Sequence, residues 1–418
     1  MLNRAALARL KRSNLGGNFF VYATDYGLRI VVQLGYFLII SRSLGPAGYG
    51  TFAGFTAITA FVSTFVGIGC DQVLIRHVAR DGIPFGQAFG NALTSVLISL
   101  PVLLPLVVVA TLMLHFEGLP LDAILMVAVA ELVLYRLVSL CNACFQAHEK
   151  ARQQFVINVS VLIIRLIAAF MAWQFFDPLT LQIWSAWYLA GAVVAVCLAL
   201  GMVLTQLGRP VLVLKPCDLG DGFIYALEFA SIAGLRDLDK PLVVQTLDAT
   251  AGGHYTAAFR IVDTACVPIR ALLSATYTRY FHHSRKGTSE AFAFARKVLP
   301  VMGGVSLAVG LGLLVGAPFV PLLIGEQYRE AVPIIQILCL YPFTLGVSAM
   351  GGDVLRALGM QKARMIVMIF STVTYLPMVW VGATYLGIAG AAVARLVSQI
   401  LLLAATSFIV VRAGKAES

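Results

Sequence analysis

Residues 155–176 read FVINVSVLIIRLIAAFMAWQFF. At about 1.5 Å of rise per residue a helix of that length covers roughly 30 Å, the thickness of a bilayer's hydrocarbon core. The run holds one charge, Arg165, near its centre, and Asn158 stands two helical turns before it on the same face. Lys150-Ala151-Arg152 precedes the run. A membrane-length helix with an arginine at mid-depth and basic residues at one end is the pattern that recurs along this chain.

Of the 418 residues, 60% are apolar and 12% charged, against roughly 25% charged in an ordinary soluble domain. Too little polar surface is left to cover a soluble globule. Similar runs place further spans near 18–41, 51–70, 86–113, 121–146, 181–206, 222–249, 253–280, 298–323, 331–352, 364–384 and 386–411. The expected fold is therefore an all-α polytopic membrane protein of about 12 transmembrane helices. The N-terminal run is too long for a signal h-region and lacks a small-residue cleavage site, so it reads as a retained first helix. The net charge of +10 is spread between apolar runs rather than gathered on one domain, which argues against nucleic acid.

The loops set an orientation. With the N-terminus in the cytoplasm, 20 Lys and Arg fall inside and only Arg42 and Arg329 outside, a strong positive-inside bias that places both termini in the cytoplasm. The halves also resemble each other. Ala47-Gly48-Tyr49-Gly50-Thr51-Phe52-Ala53-Gly54-Phe55 aligns with Ala251-Gly252-Gly253-His254-Tyr255-Thr256-Ala257-Ala258-Phe259, 204 residues later. Lys150-Ala151-Arg152 aligns with Lys362-Ala363-Arg364 at an offset of 212. The expected organisation is an N-terminal six-helix lobe (1–206), a cytoplasmic linker (207–221) and a C-terminal six-helix lobe (222–418). A pseudo-two-fold axis along the membrane normal would relate the lobes, with a central cavity between them.

Eight basic residues lie within the spans: Arg29, Arg136, Arg165, Arg236, Lys240, Arg260, Arg270 and Arg395. Each costs about 2.5–3.5 kcal/mol at mid-bilayer, so eight facing lipid would cost on the order of 20 kcal/mol. They must face acids, one another or a wet cavity. Six acids accompany them, Asp25, Glu131, Glu228, Asp237, Asp239 and Asp263, leaving a surplus near +2 that suits an anionic ligand. Arginine predominates, and its planar fork matches phosphate oxygens.

Helical spacing sorts these charges. Tyr22, Asp25, Arg29, Gln33 and Tyr36 fall within about 80° of the first helix. Thr256, Arg260, Asp263, Arg270 and Ser274 form a stripe on the eighth. On the seventh, Glu228, Arg236 and Asp239 share a face while Asp237 points away. Asp25 with Arg29 and Arg260 with Asp263 also stand close enough in sequence to neutralise each other locally. Pro241, directly after Arg236-Asp237-Leu238-Asp239-Lys240, marks an expected break in the seventh helix. Pro101, Pro105, Pro268, Pro342 and Pro377 are further candidate kinks.

Enzymatic and metal chemistry find little support. No P-loop is present. Cys141 and Cys144 form a CxxC inside an apolar helical run, read as packing rather than metal or redox chemistry. His282 and His283, beside Arg285 and Lys286, read as a contact for anionic headgroups. No metal or cofactor is expected.

Several turns resemble those of the polysaccharide repeat-unit flippases of the multidrug/oligosaccharidyl-lipid/polysaccharide (MOP) superfamily. Leu44-Gly45-Pro46-Ala47-Gly48-Tyr49-Gly50 resembles their LGPxxYG turn. Asp239-Lys240 with Gly253 to Ile261 resembles "DK … GxYxxAxRI", Ile324 to Ala331 resembles "fGeeYxxA", and Tyr385 to Ala392 resembles "yGixGaa". The resemblance implies two six-helix lobes around a cavity, in the bacterial inner membrane. It implies translocation of an undecaprenyl-diphosphate-linked oligosaccharide to the periplasmic leaflet, with alternating access coupled to a proton or sodium gradient, for surface polysaccharide synthesis. A polymerase and glycosyltransferases would be its partners. About twelve helices, rather than the fourteen typical of the peptidoglycan-precursor branch, favour the repeat-unit branch. On this reading Arg29, Arg236, Lys240, Arg260 and Arg270, with Arg136, Arg165 and Arg395, form a cationic substrate cavity. Asp25, Glu131, Glu228, Asp239 and Asp263 hold those cations or carry the coupling ion. The alternatives are a drug or cation antiporter of the same superfamily, which would favour an acidic, aromatic cavity over an arginine-rich one, and a membrane-embedded polymerase or transferase, which would need a larger extramembrane loop.

Overall fold

In hydrocarbon an unpaired backbone group has no water to turn to, so a spanning chain stays helical and breaks only where protein covers the break. The computed structural model obeys this. It describes residues 15–114, 116, 119–211, 219–285 and 287–415, with side chains from Ile30 onward except those of Leu219, Asp221, Thr278 and Lys415. Asp25 and Arg29 thus lie outside the described side chains, and most of the linker lies outside the described residues.

Twelve passes are built among the described residues. The first lobe contains α1 (15–44), α2 (46–79, unwound over 64–69), α3 (Phe85–Met113), α4 (Leu121–Ala147), α5 (Ala151–Phe175) and α6 (Leu181–Gln206). The second contains α7 (219–246), α8 (249–284), α9 (Thr288–Ile324), α10 (Ala331–Ala357), α11 (361–386) and α12 (388–415). Two tight reversals sit at Gly45 (φ 65°) and Gly387 (φ 62°). A side chain is strained at such angles, and glycine is not. Among the described residues, eight segments are long and apolar enough to cross a membrane, so the chain is a multi-pass membrane protein.

The helices that carry the polar clusters are interrupted. α7 breaks at Leu238, between Leu219–Asp237 and Asp239–Thr246, with Pro241 in the first turn of the second piece. α8 breaks at Cys266, with Pro268 opening the second piece Val267–Ser284. α4 carries one π turn at Ala130–Leu134 that includes Glu131; the extra residue in such a turn commonly marks a functional position. Pro342 likewise opens a helical piece, whereas Pro101, Pro105 and Pro377 lie inside continuous helices. The second span does not end at residue 70 as expected. After its unwound stretch it resumes as Cys70–Ala79, which places Arg76 on a helix.

The lobes meet through glycine. A Cβ on Gly50 of α2 would lie 2.0 Å from the Ala249 carbonyl oxygen, and one on Gly253 of α8 would lie 1.9 Å from that of Pro46. These are the two repeat-related turns, brought backbone to backbone. Beside them Arg42 donates to the Leu323 carbonyl at 2.5 Å and Tyr328 to that of Ser41 at 2.8 Å. Near the other end, a Cβ on Gly69 would lie 2.2 Å from the Gly222 carbonyl oxygen. Gly253→Val is expected to leave the protein in the membrane but force α2 and α8 apart. In a cysteine-free background carrying Thr256→Cys, impermeant maleimide applied from the Gly45 side should then label faster than without the valine. Equal labelling would show that the glycine contact does not seal that end.

Candidate functional site

Between the lobes lies a cavity of about 270 Å³. α1 and α2 supply Tyr36, Phe37, Tyr49, Phe52 and Thr56; α4, α5 and α6 supply Glu131, Arg165 and Tyr188. α7 supplies Arg236, Asp237 and Lys240, and α8 supplies Thr256, Phe259, Arg260 and Asp263. A second space of about 550 Å³ continues toward Gly69 and shares Glu131, Arg236 and Asp237 with the first. Four cations thus face three carboxylates across walls rich in aromatic rings, a surface suited to an anionic, polyhydroxylated ligand.

The charges are held unequally. In the first lobe, Arg165 Nη2 donates to the Tyr188 hydroxyl at 3.0 Å and lies 3.6 Å from Glu131 Oε1. Tyr188 in turn donates to Glu131, and the guanidinium stacks over the Tyr135 ring at 3.9 Å. The tyrosine therefore bridges acid and base, and neither charge is left bare in the low-dielectric interior. In the second lobe, Lys240 pairs with Asp237. Asp263 takes a hydrogen bond from Arg270 and lies 3.6 Å from Arg236. Arg236 remains 53% exposed at the side chain, so its fork is open to a ligand. Arg260 has no carboxylate within 4 Å and no side-chain hydrogen bond among the described residues. It is the least compensated cation of the cavity.

Other charges singled out in the sequence have different settings. Arg395 is 3% exposed and Asp239 0%. The two pair inside the second lobe, where Asp239 also accepts from Tyr255 and, at 2.7 Å, from Tyr375. Arg395 further donates to the Arg236 carbonyl at 3.0 Å and lies 3.3 Å from the Phe259 ring centre. This closed cluster ties α7, α8, α11 and α12 together. Arg136 is a fastener: Nη1 donates to Asp71 at 2.7 Å and Nε to the Val66 carbonyl at 2.9 Å, pinning the unwound stretch of α2 to α4. Glu228 faces Arg364 at 3.9 Å. Asp237, read from spacing as pointing away, lines the cavity while Asp239 is buried. The break at Leu238 shifts the phase of α7 between them, which a continuous 100° wheel cannot represent. Spacing also gave no hint of Tyr188, Tyr255 or Tyr375. A phenol within a membrane span next to a charged neighbour was the available signal.

Removing one partner of a buried ion pair strands the other. Arg395→Met is therefore expected to destabilise the protein by about 3–5 kcal/mol and to lower its Tm in detergent. Arg260→Ala, with no partner to strand, should leave Tm nearly unchanged; equal losses would place Arg260 in a structural network as well.

Residues 15–218 match the model of the polysaccharide biosynthesis protein family. Over 181 residues the chain is 24% identical to the lipopolysaccharide biosynthesis protein WzxC of Escherichia coli (strain K12). That match covers 42% of this chain and 36% of WzxC, so about a third of the relative's length. The lipid II flippase MurJ, in an inward closed conformation, superposes with a TM-score of 0.74 at 11% identity, covering 94% of this chain and 87% of MurJ. An inward-facing MATE family multidrug resistance transporter of the MOP superfamily gives 0.71 at 14% identity, covering 94% and 96%. The chain therefore shares the fold of these two transporters, and residues 15–218 match the polysaccharide biosynthesis protein family.

Proposed function

We propose that the protein is a flippase that carries an undecaprenyl-diphosphate-linked oligosaccharide from the cytoplasmic to the periplasmic leaflet of the bacterial inner membrane. The observation that carries this reading is the cavity between the lobes. It is cationic, lined with aromatic rings, and holds Arg260 with no carboxylate within 4 Å among the described residues. A cation held unpaired in a membrane interior is destabilising unless something else supplies the negative charge. A lipid diphosphate does so, and the rings offer flat faces to sugar. The family match and the likeness of fold point the same way. An acidic cavity, as a cation antiporter would favour, is not what these side chains make.

In this reading Arg236 and Arg260 hold the diphosphate or an acidic sugar, while the polyprenyl tail remains in lipid. Asp237 and Asp263 orient Lys240, Arg236 and Arg270. The lobes rock about the cavity, opening it at the Gly69 end toward the cytoplasm and at the Gly45 end toward the periplasm, with both termini cytoplasmic. A proton or sodium ion drives the cycle, and Glu131 is the residue that takes it. Arg165 and Tyr188 compensate this carboxylate when the ion is absent and are released from it when the ion is bound.

Deleting the gene should abolish surface polysaccharide and leave full-length lipid-linked units on the cytoplasmic leaflet. A plasmid copy should clear them, and copies with Arg260→Ala or Arg270→Ala, at normal membrane abundance, should not. Units that reach the periplasm unpolymerised, or never reach full length, would identify an enzyme instead. Normal polysaccharide in both variants would overturn the cavity assignment. Glu131→Gln, which keeps the shape but not the charge, should abolish gradient-driven transport into proteoliposomes while substrate binding persists. Transport that still follows the imposed gradient would exclude Glu131 as the coupling acid.

A further inference from the structure

The second lobe contains a further space of about 430 Å³, walled by α7, α8, α10, α11 and α12. It shares Arg236 and Asp263 with the central cavity and adds Arg270 and Arg364. Three arginines therefore line it against one carboxylate, Asp263. Arg270 spends donors on Asp263 yet stays 41% exposed. Arg364, at the start of α11, makes no side-chain hydrogen bond among the described residues. Glu228 lies 3.9 Å from it, and Asp353 also acts on it electrostatically. Room for that guanidinium is built in: a Cβ on Gly352 of α10 would lie 3.1 Å from Arg364 Nε. One wall is apolar (Leu235, Leu345, Val367, Leu402), while Ser348 and Gln399, hydrogen-bonded at 3.1 Å, present a polar edge.

Arg270 and Arg236 both reach Asp263, Arg236 also lines the central cavity, and Arg364 stands at the start of α11 on the same space. We propose that this pocket is a second anion site. It receives the phosphate-bearing headgroup of an isoprenoid lipid at Arg364 and passes it by way of Arg270 and Arg236 to Arg260. The apolar wall takes the first isoprene units, and Glu228 occupies Arg364 when no phosphate does. The inference rests on the flippase reading, and supplies the route by which the diphosphate enters.

The test measures binding of geranylgeranyl diphosphate to the purified full-length protein in phosphatidylcholine nanodiscs, with geranylgeraniol and phosphatidylglycerol as competitors. Loss of a charge-assisted arginine–phosphate contact should raise Kd about tenfold in Arg364→Gln. Glu228→Gln, which removes the competing carboxylate, should lower it. Met368→Trp, filling the pocket from its side wall, should weaken binding without touching a charge, and serves if Arg364→Gln does not fold. Neither competitor should displace the probe at equal concentration. If all three variants bind as the wild type does while Arg260→Ala weakens binding, the second site is wrong and the flippase reading survives. If phosphatidylglycerol competes equally, the pocket holds ordinary lipid headgroups and the route is wrong. If the wild type does not bind the probe at all, both readings fall together.

Discussion

A guanidinium in hydrocarbon has to be met by something, and the architecture is organised by what meets each one. Arg136 is met by a carboxylate and a carbonyl and becomes a pin. Arg395 is met by Asp239, two phenols and a ring, and becomes the hub of the second lobe. Arg165 is met through a tyrosine that also serves Glu131. Where these partners run short a cation faces open space, as Arg236 and Arg260 do in the central cavity. Stability and function here are two outcomes of one constraint, separated by whether the protein completes the charge itself.

The two lobes solve the problem differently. The first lobe offers its cavity one compact triad on α4, α5 and α6, with Glu131 placed by the π turn of α4. The second lobe interrupts its lining helices instead. Breaks at Leu238 and Cys266 free α7 and α8 to point charges into the cavity and into the lobe from neighbouring positions. Asp237 and Asp239, two residues apart, end in different environments for that reason. The repeat visible in the sequence is thus symmetric in its turns and asymmetric in its charges.

Much of this was legible in the residues. Apolar runs gave the passes, because the length needed to cross a bilayer is a local property of the chain. The charges at Arg165, Arg236 and Arg260 announced a cavity, because depth in a membrane is readable from hydropathy. Partner choice was not legible. Whether Asp239 or Asp237 faces the ligand depends on a single broken turn, and whether Arg395 is free or buried depends on four helices meeting. Arg364 looked like a loop residue because its charge lies close to an apolar run's end. Tyrosines carry no charge and pass as packing, although three of them complete the ionic networks.

The glycine contacts between the lobes carry a consequence for how such a molecule cycles. At both ends backbone meets backbone, Gly50 against Ala249, Gly253 against Pro46 and Gly69 against Gly222. Ion-pair gates must dehydrate and rehydrate charges at every opening, and their strength varies with salt. Backbone faces in van der Waals contact separate without that toll on the barrier, and ionic strength hardly alters them. Under the proposed rocking of the lobes, sensitivity to ions would be withdrawn from the doors and concentrated in the room between them, so that the occupant of the cavity, rather than the medium outside, would set which door stands open.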